Sequence, residues 1–304
     1  MARPSTPWRT VTRLSAADVN VDATLRSGQA FCWTRHREVW EGWIGPAPCR
    51  IGADGAVLGP AALKEEAVRR YFGLDVDLDA ALGTFPADAW LAEATLYAPR
   101  LRLLAQEPWE TLASFICSAV KQIPQIEQIN QTLRRRFGPP WKGAPGLHGF
   151  PTPAAVAEAG EAALRECRLG FRARSLHGTA ARVAAGEVDL QALHALPTDA
   201  AREVLVGLPG VGPKIADCVL LFAYRRYDAF PIDVWVERVL RQLYFTRRRP
   251  DAARLRAFSQ SYFGPYRGYA QQYLFHWVRT ARPPAAMAPL RKPKKRRIKR
   301  LAGG

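Results

Sequence analysis

Lys214 and Asp233 are the two side chains whose types and spacing could do covalent chemistry. Lys214 closes the run Gly207-Leu208-Pro209-Gly210-Val211-Gly212-Pro213-Lys214, and Asp233 follows nineteen residues later in Pro231-Ile232-Asp233-Val234. A primary amine can attack an electrophilic sugar carbon, displace the group it carries and hold the sugar as a Schiff base. At a helix start such an amine meets the positive end of the macrodipole, a setting that suits a nucleophile better than another cation. Asp233 follows a proline and precedes the helical run Val234-Trp235-Val236-Glu237-Arg238-Val239, so its carboxylate can cap that helix and be fixed by doing so. A fixed carboxylate beside the sugar would stabilise positive charge as a glycosidic bond breaks. Plainer roles fit the same residues: a surface phosphate contact for Lys214 and a simple N-cap for Asp233.

Positioning these groups requires two helices and a tight turn. Residues 200–206 have helix-forming content, Pro213 suits a first helical turn, and Ile215, Val219, Leu220 and Phe222 recur at helical spacing. Between them Gly207, Gly210 and Gly212 imply a turn needing positive or unrestricted φ. The unit reads as helix, Gly-rich hairpin, helix over about 198–226. Bare N–H groups of such a hairpin, next to a helix N-terminus, form an anion site suited to a nucleic-acid phosphate.

The rest of the chain divides by periodicity. Ala30-Phe31-Cys32-Trp33 and Val39-Trp40-Glu41-Gly42-Trp43-Ile44 read as strands, with a hairpin turn at Asp54-Gly55. Helices are expected at 61–71, 89–98, 109–120, 125–137, 153–168, 172–185, 234–243, 251–263 and 267–280. The expected fold class is α+β: an N-terminal antiparallel β-sheet domain with flanking helices (1–105), packed on an all-helical body (106–282), followed by a flexible basic tail (283–304).

The 304 residues carry a formal net charge of +17. Eight Lys or Arg and no acid lie between Arg291 and Arg300, so the tail accounts for about half the excess and the body remains basic. Further runs at Arg134-Arg135-Arg136, Arg225-Arg226 and Arg247-Arg248-Arg249 extend the expectation of a phosphate-contacting side. Cys32, Cys49, Cys117, Cys167 and Cys218 are scattered without paired spacing, so neither a zinc site nor a disulfide framework is expected. Lacking an 18-residue apolar run and a signal-peptide pattern, the chain is expected to be intracellular, cytoplasmic and nucleoid-associated, with no membrane partner.

In sequence, Leu208-Pro209-Gly210-Val211-Gly212-Pro213-Lys214 with Asp233 resembles the helix-hairpin-helix DNA glycosylases, and the 8-oxoguanine branch among them. Ser27-Gly28-Gln29-Ala30-Phe31-Cys32-Trp33, Ser114-Phe115-Ile116-Cys117-Ser118, Leu169-Gly170-Phe171-Arg172-Ala173-Arg174 and Tyr269-Ala270-Gln271-Gln272-Tyr273-Leu274-Phe275 match that branch in order, so the similarity covers roughly 20–280. The resemblance implies a bifunctional glycosylase and AP lyase acting on duplex DNA that contains a damaged base, as a monomer. Lys214 would be the nucleophile and Asp233 its electrostatic partner. Gly28, Cys218, Gln271 and Phe275 would form the base pocket, with Gly28 offering its carbonyl, Gln271 reading the Watson-Crick edge, and Cys218 and Phe275 sandwiching the ring. Gly207, Gly210 and Gly212 would meet the DNA backbone. Phe171 and Arg172 match a wedge and an opposite-base contact.

The resemblance implies no required cofactor. It allows a monovalent cation at the carbonyls of 208–211, and the absence of a four-cysteine cluster excludes an iron-sulfur centre. Departures gather where relatives read the strand opposite the lesion: Val120, Lys121 and Gln122 replace consecutive asparagines, and Gln125 replaces an arginine. Lys121 or Gln122 is expected to fill the vacated space. Trp235 stands where eukaryotic relatives carry a phosphate-contacting histidine. The alternatives are a glycosylase of the same fold for alkylated or deaminated purines, a non-catalytic reader of damaged DNA, and a structural helix-hairpin-helix module.

Overall fold

Five short strands build the N-terminal sheet: β1 (Arg9–Arg13), β2 (Thr34–His36), β3 (Val39–Ile44), β4 (Ala47–Ile51) and β5 (Ala56–Gly59); β3 and β4 are its most buried members. The computed structural model describes residues 8–142, 146–245 and 250–281; the expected basic tail and the Arg247-Arg248-Arg249 run lie outside them. Strand order is β1-β5-β4-β3-β2 and every pairing is antiparallel, with Trp43 opposite Pro48 and Glu41 opposite Arg50. Asp54-Gly55 does turn the chain between β4 and β5, with Gly55 at φ +78°.

Ala30-Phe31-Cys32-Trp33, expected as a strand, is instead an irregular bend before β2. Its aromatic anchors belong to different cores. Phe31 packs edge-on against Phe115 of the helical body at 5.4 Å, whereas Trp33 sits in the sheet core and donates its indole N–H to the Tyr71 hydroxyl at 2.8 Å. A regular strand could not serve both.

Two apolar clusters result. The smaller joins Leu14, Ile51, Val57, Val68 and Phe72 beneath the sheet, with helix Glu65–Tyr71 as its lid. The larger fills the helical body and recruits Leu78, Leu91, Leu101 and Leu103 from the N-terminal 105 residues. Helices Leu78–Gly83 and Ala89–Tyr97 therefore belong energetically to the body, each capped by an aspartate at its start.

Helix Arg267–Ala281 runs through this core with Tyr269, Tyr273 and Trp277 all but completely enclosed. Burying three such rings supplies several kcal/mol of transfer free energy, at about 25 cal/mol per Å², and fixes the register of the polar residues between them. Among the described residues no helix is long and apolar enough to cross a membrane.

Candidate active site

The hairpin forms between helices Thr198–Val206 and Pro213–Phe222. Only one of its three glycines needs the left-handed region: Gly210 has φ +76°, and a methyl there would sit 2.5 Å from Ser175 Cβ. Gly207 ends the first helix at φ −67° and Gly212 precedes the second at φ −97°, both open to other residues by backbone angle. The expectation that all three serve backbone freedom is thus corrected. The Gly212 Cβ direction points into open space, where a DNA backbone has room to approach. Helix Arg172–Ala184 braces the turn through the Thr179 hydroxyl on the Pro209 carbonyl, 3.0 Å, and the Arg182 guanidinium on the Gly207 carbonyl, 2.8 Å.

Lys214 leaves the first turn of its helix half-buried, its Nζ 5.0 Å from the centre of the Phe115 ring. Asp233 caps helix Val234–Val239, accepting from the Val236 N–H at 2.8 Å. Burial pushes the Asp233 carboxyl above the ordinary range, while its backbone N–H partners and Lys214 pull it down.

Both side chains line one small cavity, of about 40 Å³, together with Gly28, Cys218, Gln271 and Phe275, residues drawn from positions 28 to 275. Burial pushes the Cys218 thiol up to about 12, so it stays neutral and acts as an apolar wall. Gly28 has φ +77°, and a side chain there would collide with Ile123 Cδ1 at 2.5 Å and crowd Phe275 Cε1 at 3.3 Å. Its neighbour Gln29 is fully buried and ties the segment down, donating to the Arg102 carbonyl (2.9 Å) and accepting from the Leu104 N–H (2.8 Å). Gln271 presents a buried Oε1 with no hydrogen-bond partner, an acceptor whose cost is recovered only when a donor enters. Gln272 behind it donates to the Ser27 carbonyl at 2.8 Å.

Phe115, Phe222, Pro231 and Gln272 also line the cavity and were not foreseen as site residues. Phe115 stacks on Phe222 with ring centroids 5.6 Å apart. Phe222 shows only helical spacing, which marks core positions equally well, and Phe115 lies in a family-like motif without being singled out by it.

Other candidates stand on the rim. Phe171 is exposed and carries the Arg172 guanidinium 4.4 Å over its ring; positive φ at Arg168 and Gly170 turns the chain to present it. Val120 is 91% exposed at φ +60°, strained for a β-branched residue, so the helix expected over 109–120 ends at Cys117. Lys121 is half-buried and Gln122 exposed. Gln125, where relatives carry an arginine, turns back to accept from the Gln122 N–H at 3.0 Å and serves as a helix cap. Trp235 has the Arg238 guanidinium 5.2 Å over its ring, which returns a cation to this face.

Much of the expected basic face is absorbed by the fold. Arg134 is buried on Glu110 beneath the Trp43 ring, Arg136 pairs with Glu166, Arg225 with Asp75, and Arg226 donates to the His194 and Leu196 carbonyls.

A helix-hairpin-helix presenting an amine, with a capping carboxylate in the same cavity, defines a base-excision class of DNA-processing proteins. The chain belongs to the HhH-GPD superfamily of base excision DNA repair proteins, whose model matches residues 113–265. Residues 11–112 match the 8-oxoguanine DNA glycosylase N-terminal domain, which places the chain in that branch. It is 29% identical to a probable N-glycosylase/DNA lyase of Methanothermobacter thermautotrophicus, over 88% of this chain and 96% of the relative. It is similar in structure to MBOgg1 in complex with a low-affinity DNA ligand, with TM-score 0.80 and 32% identity, covering 90% of this chain and 94% of that one. The Clostridium acetobutylicum 8-oxoguanine glycosylase/lyase, bound to DNA with cytosine opposite 8-oxoguanine, gives TM-score 0.78 and 30% identity over 86% and 92% of the two chains.

Proposed function

We propose that this protein is a bifunctional DNA glycosylase and AP lyase that removes 8-oxoguanine from duplex DNA. The observation that carries the reading is the convergence of Lys214 and Asp233 with Gly28 and the unpaired Gln271 acceptor in one cavity. A target base hidden in a duplex must be extruded to reach such a cavity. Gln271 Oε1 then accepts from the purine's edge N–H groups, the Gly28 backbone approaches closely where no side chain stands, and Cys218 and Phe275 enclose the ring.

With the sugar beside Lys214, its amine attacks C1′ and the bond from C1′ to the base breaks, its electron pair leaving with the base, which takes up a proton. Asp233, held by the Val236 N–H, stabilises the positive charge that develops on the sugar. The lysine-bound sugar opens to a Schiff base, which permits loss of a C2′ proton and departure of the 3′ phosphate by β-elimination.

The hairpin carbonyls suit the monovalent cation that the family resemblance implies. Leu208 O accepts the Val211 N–H at 3.1 Å and Pro209 O accepts Thr179, but each carbonyl retains a second lone pair. Such a cation would reinforce the positive character of the turn toward a DNA phosphate. Binding as a monomer inside the cell completes the reading.

Incubation with an 8-oxoguanine:cytosine duplex and borohydride should trap a covalent adduct that Lys214→Gln abolishes. Equal trapping by the variant would remove Lys214 from its role. A lesion panel decides against alkylated or deaminated purines as the preferred target, and binding without base release would support a non-catalytic reader instead. Val120 cannot hydrogen-bond an orphaned base and Gln125 is engaged as a cap, so any discrimination among the four opposite bases falls to Lys121, Gln122 and Arg172; excision opposite each base should become more uniform in Arg172→Ala.

A further inference from the structure

The cavity that must receive a purine has a volume of about 40 Å³, so the spacing of its walls has to be held closely. Two walls come from distant parts of the chain: the segment at 26–28, which ends the short helix Val21–Arg26, and Phe275 on helix Arg267–Ala281.

Arg279 touches both. It lies one turn beyond Phe275 on the same helix face, so Gln271, Phe275 and Arg279 form an i, i+4, i+8 stripe. Its guanidinium sits 5.4 Å over the Phe275 ring, on the way to the Arg26 carbonyl, to which Nη2 donates. That carbonyl is two residues from Gly28. Gln272 holds the adjacent Ser27 carbonyl from the same helix. Arg279 is half-buried, its Nε is enclosed without an acceptor, and it lies beside Glu127 of helix Ile123–Phe137 in a neighbouring surface pocket. An arginine so enclosed, with one hydrogen-bonding edge unused and desolvation opposing its charge, has no evident advantage for stability alone.

We propose that Arg279 is a positioning residue of the base pocket, bracing Phe275 against residues 26–28. That role needs the planar guanidinium, which can lie on a ring and donate a directed hydrogen bond. The proposal rests on the reading of this cavity as the 8-oxoguanine site.

Three proteins decide the matter: wild type, Arg279→Met and Arg279→Lys. Without substrate, amide hydrogen exchange at residues 26–28 should quicken in both variants, and unchanged exchange overturns the bracing role whatever the protein's substrate. In single-turnover excision of 8-oxoguanine, Arg279→Met should slow the reaction by roughly tenfold to a hundredfold, the scale of a misplacement near 1 Å, with DNA affinity unchanged. Arg279→Lys, which keeps the charge but not the plane, should be slowed as well. If Arg279→Met fails to fold, Arg279→Lys carries the rate and exchange tests. Wild-type excision rates in both variants would overturn the pocket role, and lost DNA affinity with an unchanged excision step would show a merely structural residue. Wild-type protein that releases no base overturns the function reading separately, because the exchange measurement needs no chemistry.

Discussion

At the scale of single residues, the site depends on side chains that each do a structural task as well as a chemical one. Asp233 is an N-cap, and that is why its carboxylate is held still beside the sugar. Asn caps a helix about as well as Asp, so Asp233→Asn should leave the melting temperature nearly unchanged. Excision should nonetheless fall by roughly a hundredfold to a thousandfold, the usual loss when a preorganised electrostatic group is removed. Burial raises the Asp233 carboxyl, so wild-type activity should fade, as the medium is acidified, at a pH above the ordinary carboxylate range; a pH–rate profile checks this. Lys214 and Asp233 were legible in the sequence because a Gly-rich turn and a proline mark the helix starts that carry them. Phe115 and Arg279 were not, since an aromatic at helical spacing and an arginine near a helix end each have commoner explanations.

At the scale of elements, the hairpin separates backbone demand from binding demand. Gly210→Ala places a methyl at positive φ and against Ser175, which should lower stability by about 1–3 kcal/mol. Gly212→Ala meets open space at an ordinary φ, so thermal melts should distinguish the two, with only Gly210→Ala shifted. Equal shifts would contradict the hairpin geometry. Helix limits followed the sequence closely where caps and periodicity agreed, as at Ile123–Phe137 and Arg267–Ala281. They failed at 118–120, where Val120 leaves the helix in a strained conformation that no propensity favours, and at 30–33, where two cores compete for neighbouring aromatics.

At the scale of the whole molecule, charge is used in two ways. Arg134, Arg136, Arg225 and Arg226 are internal partners of carboxylates or carbonyls, so they add less to a DNA-facing surface than their number implies. That throws more of the polyanion attraction onto the eight basic residues between Arg291 and Arg300. Deleting residues 285–304 should weaken DNA binding and reduce its salt dependence while leaving single-turnover excision intact, because every phosphate the protein no longer neutralises keeps about one counterion that binding would have released. Unchanged affinity across a salt titration would show that the tail takes no part.

The amino-acid sequence by itself determined the α+β organisation, the hairpin, the amine and carboxylate at two helix starts, and a five-motif likeness to one repair family. Each is local: caps, turns and periodicity act over a few residues, so a linear reading can see them. Tertiary structure alone decided that Gly28, Cys218, Gln271 and Phe275 share a cavity with Lys214 and Asp233, that the Gln271 acceptor is left unpaired there, and that Arg134, Arg225 and Arg226 are engaged by carboxylates or carbonyls of the fold. Those facts depend on which distant surfaces pack together, and burial, not residue type, assigns a charge or an amide to core or to chemistry.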